Sequence, residues 1–154
     1  MRPAFRVAAP YVVIALAACG ESAAARLERE TLAVAAPAVD AFAADLDAGR
    51  IDAALGRTTR AFQASAPAAS VRGVLGEMVR ALGASKARTP RGVESLVAEG
   101  DPAVVREAVL LLDGKFERGT AAIRARVHRD AARGGWQVDG YEVRSDLFTW
   151  TLRK

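Results

Sequence analysis

Cys19 is the only cysteine in 154 residues. Deprotonated, a thiol is a strong nucleophile, and with no second cysteine in the chain it cannot close an internal disulfide. Its setting is specific. Arg2 and Arg6 make a positively charged start, Val7 to Leu16 is uncharged and mostly apolar, and the small residues Ala17 and Ala18 lead into the thiol. This is the order of a secretory signal. The run falls well short of the roughly 20 residues that cross a bilayer as a helix, and Pro10 interrupts it, so no permanent transmembrane anchor is expected.

The other residues able to do chemistry are sparse. His128 is the only histidine. It is expected on a polar strand face with Arg124 and Arg126, where neighbouring cations work against a metal ion. No His-Glu-x-x-His helix is present, no cysteine remains for zinc, and the carboxylates lack metal-ligand spacing, so neither metal nor cofactor is expected. Asp40, Asp45 and Asp139 are the carboxylates that remain as candidates. None matches a motif, each also reads as surface charge, and no catalytic residue is assigned. No Gly-x-Ser-x-Gly turn and no glycine-rich phosphate loop occurs. The Arg124, Arg126 and His128 stripe could hold an anionic headgroup or a peptidoglycan acid, or be a solvated face paired across strands. Arg57, Arg60, Arg88 and Arg91 fall in no compact cluster.

Leu16-Ala17-Ala18-Cys19 resembles the lipobox of bacterial lipoproteins. The resemblance implies cleavage between Ala18 and Cys19, a diacylglyceryl thioether on the cysteine, and a fatty acyl group such as palmitate on its new amino group. Gly20 in place of aspartate implies, by the same resemblance, export to the periplasmic face of the outer membrane. The chain then divides into a signal over 1–18, a lipidated tether over 19–25, and one domain over 26–154.

A mature chain of this size folds as one domain without metal or disulfide. The sequence pI near 9.8 is misleading as a nucleic-acid signal. Removing Arg2 and Arg6 from 22 basic residues leaves an excess of two over 18 acidic ones. That balance does not point to nucleic acid.

The elements that must position these groups follow from periodicity. Val39, Phe42, Ala43 and Leu46 make a helical stripe ended by Gly49, with Pro37 either opening that helix or lying within a longer one from near Ala24. Ile51, Ala54 and Leu55 form a short helix before Gly56. Val71, Leu75, Met78 and Leu82 form another before Gly83. From about Ala87 the pattern turns to β: Val93 to Ala98, then a segment over Val105 to Leu111 that could also be helical, then a hairpin.

With Arg118-Gly119 as a two-residue turn, Phe116 faces Ala121, Leu112 faces Ala125 and Asp113 faces Arg124. The next strand, Trp136 to about Ser145, pairs Val127 with Trp136 and sets Asp139 beside Arg124. An ion-paired Asp113–Arg124–Asp139 row is therefore expected, with a bulge or bend at Gly140. Leu147 to Leu152 reads as a last strand, either packed on the domain or left as an aromatic contact patch.

Helices followed by an antiparallel meander predict an α+β fold, with N-terminal helices packed on a curved sheet. The segments Gly114 to Thr120, Gly135 to Tyr141 and Leu46 to Arg50 are similar to the cone-shaped nuclear-transport-factor-two-like superfamily. That resemblance implies a cone-like domain in a group holding isomerases, dehydratases and proteins without catalysis, and it implies that in an enzyme Asp40, Asp45 or Asp139 could be a base with Tyr141 as oxyanion donor in an apolar cavity. The expectation is a membrane-anchored, non-catalytic module that binds an envelope protein or a small apolar ligand. The alternatives are an isomerase- or dehydratase-like enzyme in the cone and a structural accessory subunit.

Overall fold

The computed structural model describes residues 21–130, 132 and 135–152, the side chains of 102, 103 and 152 excepted. The expected signal, Ala18 and Cys19 lie outside the described residues. Among the described residues, four helices precede a five-stranded antiparallel sheet ordered as in sequence, the α+β architecture expected.

Helix α1 (Ala23–Asp47) takes in the last three residues of the expected tether, because the Ser22 hydroxyl accepts the Ala25 amide at 3.1 Å and caps the first turn. Pro37 lies inside it. Its stripe of Thr31, Ala35, Val39, Phe42 and Leu46 is buried. The helix stops where Gly49 takes a φ of +69°, a conformation glycine adopts without strain. Helices α2 (Ile51–Gly56), α3 (Arg60–Ser65) and α4 (Ala68–Leu82) follow. The Thr59 hydroxyl caps α3 by accepting the Phe62 amide at 3.2 Å.

Strands β1 (Ser85–Glu99) and β2 (Asp101–Phe116) form a long hairpin, so the segment from Val105 to Leu111 is strand rather than helix. Strands β3 (Gly119–Asp130), β4 (Gly135–Arg144) and β5 (Thr149–Leu152) complete the meander.

The β2–β3 register differs from expectation by two residues. Phe116 faces Gly119, Leu112 faces Ile123 and Leu111 faces Arg124, so the turn is Glu117-Arg118 and Asp113 lies opposite Ala122. The reason is tertiary. The Glu117 amide donates to the Ala84 carbonyl at 3.1 Å, and the Arg118 amide donates to the Leu82 carbonyl at 2.9 Å, which fastens that dipeptide to the end of α4. A slip of two leaves every side chain on its original face, so apolar alternation cannot detect it.

The β3–β4 pairing shifts by two residues at Val127 and Arg129 and by three at Arg124, beyond a bulge. Val127 faces Val138, Arg129 faces Trp136 and Arg124 faces Glu142. Asp139 is the extra residue between the Arg126–Gly140 and Val127–Val138 pairs, which places a bulge beside Gly140 as expected.

The core lies between the helices and one sheet face. Phe42, Phe62, Leu110, Leu112 and Ile123 are each at most 1% exposed. Phe116 is buried and Trp136 half-buried against this core. The tail packs on the domain: Trp150 is buried, with its ring centroid 6.1 Å from that of Tyr141.

Candidate functional site

Polar groups gather at three places. The first is Asp45, in the last turn of α1 and 4% exposed. Arg57 Nε donates to its Oδ2 at 2.6 Å, while Arg50 Nε and Nη2 donate to Oδ1 at 2.9 and 2.7 Å. The hydrogen bonds from Arg57 and Arg50 hold its carboxyl below the ordinary range, against the opposing effect of burial. A carboxylate so engaged is a clasp between α1 and the α2 region rather than a free base.

The second place is partly buried, between α1 and the sheet. Arg88 on β1 reaches under the sheet, where Nη1 and Nη2 grip the two oxygens of Asp47 at 2.6 and 2.7 Å. Burial works against its charge, but the hydrogen bond to Asp47 and the nearby Tyr141 outweigh it and hold the guanidinium protonated. Burial raises the Tyr141 phenol, and Arg88 only partly offsets that shift. Arg88 Nε is buried without a hydrogen-bond partner. Gly114 lies opposite Arg88, and a Cβ there would stand 2.8 Å from Phe116 and 2.9 Å from Ile123.

The third place is the sheet face turned away from the helices. Leu111, Ala122, Arg124, Glu142 and Arg144 alternate along their strands with core residues and therefore share that outer face. With Glu94 they line an open cavity of about 410 Å³. Arg124 Nε donates to Glu94 Oε2, and Arg144 Nε donates to Glu142 Oε1. Thr151 of β5 adds a hydroxyl to that same Glu142 oxygen at 3.2 Å. Glu142 is only 4% exposed although it lies on an open face. The charges run Glu94, Arg124, Glu142, Arg144 over an apolar floor of Leu111 and Ala122.

The expected row Asp113–Arg124–Asp139 does not form. The register shifts, two residues on the β2 side and three on the β4 side once the bulge is passed, separate its members: Asp113 is 3.6 Å from Arg91, Arg124 is paired with Glu94, and Asp139 is 3.2 Å from Arg126. Asp139 also accepts the Thr59 hydroxyl at 2.5 Å. Asp40 is exposed. Asp45 and Asp139 are thus engaged by arginines, while Asp40 is near enough to act on the Tyr141 phenol electrostatically without a hydrogen bond to it.

His128 lies on the polar side, opposite Glu107 and Gln137, with Nδ1 3.5 Å from Glu107 Oε1. It borders a second open cavity of about 410 Å³ with Thr59, Arg60, Asp130 and Gln137. A third, of about 450 Å³, separates Leu27, Thr31 and Val34 of α1 from Val105, Arg129 and Trp136.

Sequence reasoning missed Arg57 and Arg88 as cluster members. Arg57 meets a carboxylate twelve positions earlier and Arg88 one 41 positions earlier, so neither pairing leaves a local spacing signal. Among the described residues, no three His, Cys, Asp or Glu side chains stand together as a metal site, and no helix is long and apolar enough to cross a membrane. No family model, curated protein or solved structure matches the chain.

Proposed function

We propose that this chain is a lipid-anchored protein of the bacterial envelope whose cone-like domain works as a non-catalytic binding module. The address rests on the charged start, the apolar run and Leu16-Ala17-Ala18-Cys19. In this reading Cys19 carries the lipid, and the periplasmic face of the outer membrane is the destination. The short spacer supports close seating on the bilayer. Four residues from Cys19 to the first residue of α1 span at most about 14 Å.

One observation carries the non-catalytic half. The middle of the space between helices and sheet, where a cone-shaped enzyme would hold its substrate, is filled by Phe42, Phe62, Leu110, Leu112, Ile123 and Tyr141, and the open cavity of about 450 Å³ between α1 and the sheet lies to one end, at Leu27, Thr31, Val105 and Trp136. The buried carboxylate at its edge, Asp45, is already held by two guanidiniums. The resemblance to the nuclear-transport-factor-two-like superfamily enters here as part of the same proposal, since helices on a five-stranded antiparallel sheet are compatible with it.

Intact-mass measurement on protein extracted from membranes tests the anchor. The expected mass lacks Met1 to Ala18 and carries diacylglycerol and an acyl group on Cys19. Cys19→Ala is expected to leave the chain uncut and to abolish acyl-dependent retention. Full-length, unmodified wild-type chain recovered from the soluble fraction would overturn the reading.

A further inference from the structure

We propose that the outer-face cavity of the sheet binds a small molecule carrying a carboxylate or phosphate oxyanion on an apolar body. The inference rests on reading the chain as a binding module, and it names the face and the ligand chemistry.

The arginines are held in place before any ligand arrives. Glu94 engages Arg124 through Nε, and Glu142 engages Arg144 through Nε. Glu142 is in turn fixed by burial and by the Thr151 hydroxyl. Among the described residues, no hydrogen bond engages the terminal nitrogens of either guanidinium. A guanidinium has a planar fork of donors that matches two oxygens of a carboxylate or phosphate, and bonds between such charged partners are the strong ones.

The register brings the two arginines near each other. Arg124 faces Glu142 and Ala122 faces Arg144, so Arg124 and Arg144 are diagonal neighbours on one face, with backbones about 7–8 Å apart. One oxyanion can therefore meet both. Leu111 and Ala122 floor the same cavity and supply an apolar surface for the rest of the molecule.

Size and charge narrow the class further. A cavity of about 410 Å³ sits at the small end of ligand sites, which suits a single small molecule rather than a polymer. Glu94 and Glu142 offset the two cations, so bare electrostatic attraction is weak. A small inorganic ion gains little there, and a ligand needs both the forked hydrogen bonds and the apolar contact.

Calorimetric titration of the acylated full chain in nanodiscs tests this, with benzoate and phenyl phosphate as probes. Benzyl alcohol and acetate are the controls, lacking the anion and the apolar ring respectively. One or both aromatic anions are expected to bind at one site, at least about tenfold tighter than either control, and their order assigns carboxylate or phosphate as the preferred head. Arg124→Gln and Arg144→Gln are each expected to weaken binding about tenfold, the loss of one charge-assisted forked contact. Arg144→Lys is expected to weaken it too, because an ammonium keeps the charge but not the fork. Arg60→Gln, at the other polar cavity, is expected to leave it unchanged.

Circular dichroism of each variant separates lost binding from lost folding. Aromatic anions that bind no tighter than benzyl alcohol, or glutamine variants that fold and bind like wild type, would overturn the site. Acylated protein without anion-dependent binding sinks this inference and leaves the anchor standing. Anion binding by protein that carries no lipid on Cys19 does the reverse.

Discussion

Asp45 and Arg124 illustrate how a charged residue acquires its role from partners that its own neighbourhood in the chain does not specify. Asp45 sits on a helix that reads as amphipathic, where aspartate is ordinarily solvated. Here it is buried because Arg50 and Arg57 return to it from beyond the helix end. The hydrogen bonds from Arg57 and then Arg50 lower its folded pKa. A depressed folded carboxylate contributes stability that is present above its unfolded pKa and is lost as pH falls through the folded value. Asp45→Asn is therefore expected to lower the melting temperature at neutral pH. The gap to wild type should shrink as pH falls below the ordinary carboxylate range. Thermal melts followed by circular dichroism across that range check this, and a gap that does not depend on pH contradicts it. Arg124 shows the converse, since its strand face was legible but its carboxylate was not.

The elements formed largely where periodicity places them, and their pairings were decided elsewhere. The helices ending at Gly49, Gly56 and Gly83 were readable from apolar spacing and a following glycine. The hairpin register was not, because Glu117-Arg118 turns where the end of α4 and the link after it hold it through Leu82 and Ala84. Gly114 belongs to the same pairing. It faces Ala121 on one side and Arg88 on the other, and the space above it is taken by Phe116 and Ile123. Adding a methyl group there overpacks the sheet face. Gly114→Ala is expected to destabilise the fold by about 1–3 kcal/mol. Urea denaturation measures the effect, and an unchanged midpoint would mean that the neighbours yield without cost.

Across the whole molecule a chain of aromatic rings ties both ends of the fold together. Phe62 meets Phe42 at 6.0 Å, Phe42 meets Tyr141 at 5.2 Å, and Tyr141 meets Trp150 at 6.1 Å, all edge to face. Four elements, α3, α1, β4 and β5, are joined in that order. The C-terminal strand is therefore part of the core. It also supplies Thr151 to Glu142 on the opposite sheet face, so the packed interior and the outer cavity share one support. Trp150→Ala is expected to cost about 3–5 kcal/mol, as for other large aromatic truncations in a core. Chemical denaturation followed by far-ultraviolet circular dichroism checks this, and a loss below about 1 kcal/mol would show that β5 is peripheral.

By itself the sequence determined the class of the fold and where most elements begin and end, because apolar periods of 3.6 and 2 and glycine stops are local properties of the chain. Those periods assign each strand residue to a face without specifying its partner, since a two-residue slip preserves both faces. Only the tertiary structure decided which charges meet. Residues as far apart as Asp47 and Arg88, or Glu94 and Arg124, are brought together by strand register and helix docking. Those are fixed by contacts distant in the chain, and no local spacing encodes them.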